Sequence, residues 1–249
     1  MSNISEAACV NGLIICVHPC SSVVSFLIRE VILPAVKTQT IFFDLDGTLY
    51  PDVKGGVWEA MRIRIEMYMH EHVGIPKAKV AELRDSYLRR YGTTLRGLTT
   101  DYSVDPDEYL VYVHDVPIEE MIKPNGKLGD LLSKLQQHKW IFTNSSLEHS
   151  RRVLAALGIS AHFDGIVDIK AMNFRNKPEP SSYTLALERA GLVGAETSLF
   201  VDDQGANLEP AKLLGASTVL VGSREPHPAA DSSIATVEEL LLAMPGLIE

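Results

Sequence analysis

Beyond Pro34 the chain alternates two kinds of hydrophobic pattern. Ile41-Phe42-Phe43 is an unbroken β-favouring run that stops in the polar stretch Asp44-Leu45-Asp46-Gly47-Thr48, as a buried strand running into a loop would. From Val57 to His72 the apolar residues Val57, Met61, Ile65 and Tyr68 recur at helical spacing. Residues 78–91 repeat that spacing with Val80, Leu83, Tyr87, Leu88 and Tyr91, and a further helix is expected over 107–122. No strand pattern occurs between 51 and 122, which predicts an all-helical block there.

From Lys127 the pattern becomes helix and strand in turn. Leu128, Leu131, Leu132 and Leu135 mark one helix face, and Trp140-Ile141-Phe142 reads as a short buried strand. A helix over 145–157 is expected to open with the capping box Ser145-x-x-Glu148. Strands are then expected at 165–169, 199–201 and 218–221, with helices at 181–190, 208–214 and from Thr236-x-x-Glu239. Strands alternating with helices at this spacing predict a parallel sheet covered on both faces. The fold class is therefore α/β, with a Rossmann-like core from 37–50 and 123–249 and a helical cap, 51–122, inserted after the first strand.

The first 36 residues follow neither pattern. Their apolar pieces, Leu13–Val17, Val23–Ile28 and Val31–Leu33, are broken by polar residues and fall short of the roughly 20 apolar residues of a membrane helix. Glu6 is the one charge before Arg29, so the positive start of a signal peptide is missing. A short helix over 23–33 is one reading of this extension, whose role the pattern leaves open.

Composition narrows the function classes. The 249 residues are 46% hydrophobic and 22% charged, as in soluble globular proteins, and the formal charge is -9. A net acidic chain without basic runs is a poor partner for a nucleic-acid backbone, and no membrane partner is expected. Cys9, Cys16 and Cys20 all lie near the start, so no disulfide frames the fold and a cytoplasmic setting is expected. The spacing of Cys16, His18 and Cys20 fits no common zinc pattern.

In open parallel sheets, ligands bind beyond the carboxyl ends of the strands. The residues at those points here are Asp44 and Asp46, then Thr143 and Asn144, then Asp202 and Asp203, with Lys177 in a loop just before a helix. Four carboxylates in a small site require cations, and an all-oxygen donor set favours a hard ion such as Mg²⁺. With Mg²⁺ and Lys177 present, a phosphate dianion becomes acceptable. The Thr143 hydroxyl and the amides of the helix beginning at Ser145 add donors for it. Two aspartates one residue apart can divide the chemistry, one attacking phosphorus and the other handing a proton to the leaving oxygen. Each feature alone has an ordinary reading as a turn, a helix entrance or a solvated loop. Their order after consecutive strands is what points to a phosphate site.

These residues also resemble the haloacid dehalogenase-like hydrolases. Phe43-Asp44-Leu45-Asp46-Gly47-Thr48-Leu49 is similar to that family's first motif, Thr143 to its second, Lys177-Pro178 to its third and Val201-Asp202-Asp203 to its fourth. The resemblance runs from 37 to about 222. It implies Asp44 as nucleophile, Asp46 as acid/base, and Mg²⁺ held by Asp44, the main-chain oxygen of Asp46 and Asp202, with Asp203 nearby. Leu49-Tyr50-Pro51, Tyr91-Gly92-Thr93, Arg96-Gly97-Leu98 and Phe142-Thr143-Asn144 further resemble the pyrimidine 5′-nucleotidase branch, where Asn commonly stands in place of Gly47.

The resemblance thus implies a Mg²⁺-dependent phosphomonoesterase acting on a small phosphorylated metabolite, a pyrimidine nucleotide such as UMP or CMP. A sugar-phosphate phosphatase or phosphomutase would use the same aspartates. Dehalogenation would not need Asp46 as a proton donor. A phosphate- or Mg²⁺-binding scaffold without turnover is the reading outside enzymes. For the leaving group, the cap offers Arg96, the cation suited to bidentate recognition, and Tyr91, Tyr102, Tyr109 and Tyr112, of which most are expected to be cap core.

Overall fold

The computed structural model describes residues 37–248 and two short upstream strands, β1 (Cys9–Val10) and β2 (Leu13–Ile14). These two pair antiparallel in a unit separate from the remainder of the chain. The helix expected over 23–33 and the Cys16, His18, Cys20 cluster lie outside the described residues.

The expected strand after Pro34 is β3 (Thr40–Phe43), buried along its whole length. It pairs in parallel with β4 (His138–Phe142) on one side and β6 (Ser198–Asp202) on the other. Adding β5 (Gly165–Val167), β7 (Ser217–Val221) and β8 (Ser232–Ile234) gives a six-stranded parallel sheet ordered β5-β4-β3-β6-β7-β8. Side chains alternate across a strand, so the two faces carry different cores. Ile41, Phe43, Ile141, Leu199 and Val201 pack on one face with Leu128, Val153 and Leu154. Phe42, Phe142 and Phe200 pack on the other with Tyr183 and Ala186, the rings of Phe42 and Phe200 stacking at 4.7 Å. Each such buried side chain contributes roughly 1.5–3 kcal/mol. Both faces are covered, which is why the strands read as continuous apolar runs.

The insert between β3 and β4 is helical, as expected: α1 (Val57–Glu71), α2 (Lys77–Tyr91), α3 (Thr94–Asp101), α4 (Pro106–Val113) and α5 (Ile118–Met121), followed by α6 (Gly126–Lys134). Two expectations change here. The single helix over 107–122 is two helices, because Pro117 cannot continue the amide ladder. Residues 94–101 form a helix that the apolar spacing did not reveal. Gly92 ends α2 in the left-handed region at φ 78°, and the Thr93 side chain caps α3 by accepting from the Arg96 amide.

The remaining helices are α7 (Leu147–Leu157), α8 (Pro180–Arg189), α9 (Gly205–Leu213) and α10 (Leu240–Ala243). The cap of α7 is Ser146, whose hydroxyl accepts from the His149 amide, and not Ser145 as the capping box suggested. α9 opens three residues earlier than its apolar pattern shows, and the edge strand β8 was not foreseen. The final helix begins as a single tight turn, Val237–Glu239, before α10. No helix among the described residues is long and apolar enough to cross a membrane.

Candidate active site

The Asp44 amide donates to the Val201 carbonyl at 2.8 Å, continuing the β3–β6 ladder one step past the strand. That step sets the Asp44 side chain at the carboxyl edge of the sheet. Its Oδ1 lies 2.7 Å from Lys177 Nζ, and its Oδ2 accepts from the Thr48 hydroxyl at 3.1 Å. Lys177, only 2% exposed, also donates to Asp202 Oδ2 at 2.7 Å, so one ammonium bridges two carboxylates. Asp202 is held in turn by the Gln204 amide at 2.8 Å and by Asn207 Nδ2 at 3.0 Å. Asp203 accepts from Gln204 Nε2 at 2.6 Å. One oxygen from each of Asp44, Asp202 and Asp203 lies within 4.8 Å of the others.

The electrostatics follow from that crowding. Burial pushes the Asp44 carboxyl well above its ordinary range; Lys177 opposes this, while Asp202 and Asp203 add to it. Burial and the neighbouring Asp202 charge push Asp203 up to about 6. Burial alone would discharge Lys177, yet the charges of Asp202 and Asp44 outweigh it and hold the ammonium above lysine's usual range. The cluster therefore has an excess of negative charge over its single lysine. Its donors are all oxygen, the chemistry that suits a hard dication.

Asp46 is handled differently. After Asp46 the chain turns, with the Leu49 amide on the Leu45 carbonyl at 3.0 Å and an isolated bridge between Asp46 and Tyr50. Asp44 and Asp46 line the same cavity. Oδ1 of Asp46 accepts from Tyr50 OH and from His149 Nε2, the latter at 2.7 Å, and Oδ2 accepts from the Ser145 hydroxyl. Burial would raise this carboxyl, but His149, Ser145 and Tyr50 override it and hold it far below the usual carboxylate range.

Asn144, expected at the phosphate, has both ends of its amide engaged by Lys177. It accepts from the Lys177 amide at 2.8 Å and donates to the Lys177 carbonyl at 3.1 Å, so it positions the lysine. Thr143 lines the cavity, and its hydroxyl accepts from the Ser145 amide at 3.0 Å. The expected open amides of α7 are partly taken: the Leu147 amide bonds Asp168 Oδ2 at 3.0 Å and the His149 amide bonds Ser146.

The cavity, about 730 Å³, runs from these carboxylates up to the helical insert. This is the size of a small-molecule site. Trp58, Met61 and Ile65 of α1 and Leu88 to Arg90 of α2 form part of its wall. Arg96 lines it too, but its Nη1 donates to the Phe174 carbonyl at 3.1 Å and lies 3.6 Å from Glu179. Tyr91 and Tyr109 reach the cavity; Tyr102 and Tyr112 do not line it, and Tyr112 packs on Tyr68 and under Arg64. His149, Asn207 and Trp58 join the site without belonging to any of the motifs above. For His149 a signal existed: it extends the buried face of Val153 and Leu157 back one turn, placing a titratable ring on the apolar side of a helix that starts at the site.

The fold and this edge of carboxylates with a buried lysine define a parallel-sheet α/β protein with a helical insert over an acidic cavity of small-molecule size. The chain belongs to the haloacid dehalogenase-like hydrolases, whose family model matches residues 38–215. Phosphate metabolism protein 8 of Saccharomyces cerevisiae is 29% identical over 201 residues, which are 75% of this chain and 62% of that protein. The chain thus spans less than two thirds of that relative's length. Among solved structures, a HAD phosphatase from Thermococcus onnurineus matches with a TM-score of 0.56 at 20% identity, covering 84% of this chain and 99% of the other. The HAD-hydrolase YfnB of Bacillus subtilis, solved with magnesium, matches at the same TM-score of 0.56 and 20% identity, covering 83% and 98%. At that identity the two structures speak for the fold.

Proposed function

We propose that this protein is a Mg²⁺-dependent phosphomonoesterase that works through an aspartyl phosphate on Asp44 and takes a pyrimidine nucleoside 5′-monophosphate as substrate. The observation that carries the reading is the buried Lys177 ammonium, 2.7 Å from both Asp44 and Asp202 in a cluster with Asp203. Asp44, Asp202 and the main-chain oxygen of Asp46 would hold Mg²⁺, with Asp203 beside them. The ion supplies the positive charge that lets a phosphate dianion approach carboxylates. Lys177 keeps the Asp44 carboxylate fixed in its attacking position and neutralises part of the transferred charge.

Asp44 attacks phosphorus and the ester oxygen leaves. Asp46 is placed to give a proton to the leaving oxygen as the ester bond breaks and to take one back from the water that hydrolyses the aspartyl phosphate. The helical insert over the cavity shields this exchange from bulk water and shapes the space for the leaving group. The nucleotide reading rests on the Tyr50, Tyr91–Thr93 and Arg96–Leu98 resemblance, together with a cavity wall that includes Trp58. The name of the yeast relative agrees with phosphate chemistry.

The test is hydrolysis of UMP, CMP, AMP, a hexose phosphate and 4-nitrophenyl phosphate, with and without EDTA. Expected are EDTA-sensitive release of phosphate, a preference for the pyrimidine nucleotides, and loss of turnover in Asp44→Asn. An Asp44→Asn variant keeping a tenth of wild-type kcat would refute the nucleophile. Equal rates on purine and pyrimidine nucleotides would refute the substrate while leaving the phosphatase in place.

A further inference from the structure

The two oxygens of Asp46 have unlike surroundings. Oδ2 bonds the Ser145 hydroxyl, and Ser145 lines the cavity. Oδ1 is held by Tyr50 OH and, at 2.7 Å, by His149 Nε2, whose side chain is 0% exposed. Nε2 is the ring nitrogen that faces Oδ1, and with its hydrogen there it donates to the carboxyl. His149 Nδ1 is buried without a partner, so no second hydrogen bond orients the ring. What orients it is His114, from the segment between α4 and α5, whose ring stacks on that of His149 at 4.4 Å and 25°. His114 is itself tied by Nδ1 to the Ser146 hydroxyl at 3.0 Å.

We infer that His149 is a positioning residue for proton transfer: by anchoring Oδ1 of Asp46 it leaves Oδ2, on the cavity side, as the oxygen that carries the proton. The inference rests on the phosphatase reading above. A carboxylic acid whose one oxygen already accepts two hydrogen bonds takes its proton on the other. Ser145, a freely rotating hydroxyl, can turn from donating to Oδ2 to accepting from it. As Asp44 forms its bond to phosphorus, the ester P–O bond breaks, its electron pair stays on the leaving oxygen and the Oδ2 proton moves there. In the second half, water attacks phosphorus, its proton returns to Oδ2 and the electron pair of the breaking bond goes back to Asp44. Lacking His149, Oδ1 keeps only the Tyr50 hydrogen bond, and the carboxyl is held less firmly with Oδ2 toward the leaving group.

A positioning role differs from a packing role in its dependence on the leaving group. A nucleoside alkoxide needs the proton; 4-nitrophenolate, a stable anion, leaves without it. The experiment compares kcat/KM, which reports the steps through leaving-group departure, for UMP and 4-nitrophenyl phosphate in wild type, His149→Ala and His149→Gln. Proton donation contributes about 10²–10⁴-fold to such reactions, and part of that should vanish. Expected for His149→Ala is a loss of about 10- to 100-fold on UMP with KM nearly unchanged, and less than about threefold on the aryl ester. The Gln amide can place an N–H near the former Nε2, so His149→Gln should recover much of the UMP rate. Losses of equal size on the two esters, or a Gln variant no better than Ala, would overturn the inference. Should His149→Ala fail to fold, His149→Gln alone decides through the ratio of its losses on the two esters. A wild type inactive on both esters overturns the phosphatase reading itself, and with it this one.

Discussion

A Cβ atom on Gly47 would stand 2.7 Å from Asp203 Oδ2. Gly47 also has φ +93°, outside the range other residues adopt easily, so sequence and site demand glycine twice over. The turn that follows Asp46 and the acidic pair are thus packed against each other through a missing side chain. Gly47→Ala should displace the Asp203 carboxylate, cost on the order of 1–3 kcal/mol of stability and weaken Mg²⁺ binding at least tenfold. Thermal unfolding with and without Mg²⁺, and calorimetric titration of the ion, measure both effects; unchanged Mg²⁺ affinity would show that Asp203 is free to move.

Lys177→Ala leaves Asp44 and Asp202 facing one another without their shared cation. Breaking a buried pair from one side costs about 3–5 kcal/mol, and phosphatase activity should fall with it. Because the fault is excess negative charge, millimolar Mg²⁺ should return part of the stability to the variant and should stabilise it more than the wild type. Denaturant unfolding at several Mg²⁺ concentrations checks this. A variant with normal stability in EDTA would show that the shared cation does not hold the fold together.

His114 gives the pH dependence a definite sign. Burial, with the neighbouring His149, lowers it to about 3, so in the folded protein it stays neutral where an unfolded histidine, near 6.5, takes up a proton. Between those values the unfolded chain binds more protons, and stability is lost as pH falls below about 6.5. The expected contribution is on the order of 1–2 kcal/mol by about pH 5. Unfolding of His114→Gln should be flatter over this interval than unfolding of the wild type; parallel curves would show that other groups carry the acid sensitivity.

Arg96 was expected to read the leaving group. Its Nη1 donates to the Phe174 carbonyl and lies 3.6 Å from Glu179, which ties α3 to the loop that carries Lys177. Arg96→Ala should therefore reduce kcat/KM for UMP and for 4-nitrophenyl phosphate alike. The loss of one exposed, hydrogen-bonded charge corresponds to about 3- to 30-fold. Steady-state kinetics on both esters tests this, and a loss confined to UMP would return Arg96 to nucleotide recognition.

The strands were legible because each is buried on both faces and so reads as an apolar run: Ile41–Phe43, Ile141–Phe142 and Leu199–Val201 needed no further information. The residues immediately after them followed from the topology alone. What stayed hidden depends on side-chain geometry. Ser145 and Ser146 are equally good caps by type, and only the structure shows that one caps α7 while the other bonds Asp46. α3 is short and is defined by Gly92 and Thr93 at its start rather than by apolar spacing. Asn144 looked like a ligand because it follows a strand, yet its amide matches the backbone of a loop that is distant in sequence.

The close approach of α2 to the Lys177 loop limits how such an enzyme can diversify. At Gly92 a Cβ would lie 2.6 Å from the Lys177 carbonyl, and Asn176 Nδ2 donates to the Tyr91 carbonyl at 2.7 Å. The corner of the insert is therefore part of the mounting of Lys177. Mutations there that enlarge or reshape the cavity would also detune the lysine, and chemistry would suffer along with recognition. The part of the wall where α1 brings Trp58, Met61 and Ile65 to the cavity lies in a different helix from that mounting. Changes to the cavity are most cheaply made by exchanging residues on α1, which makes that helix the place to begin when reshaping the site.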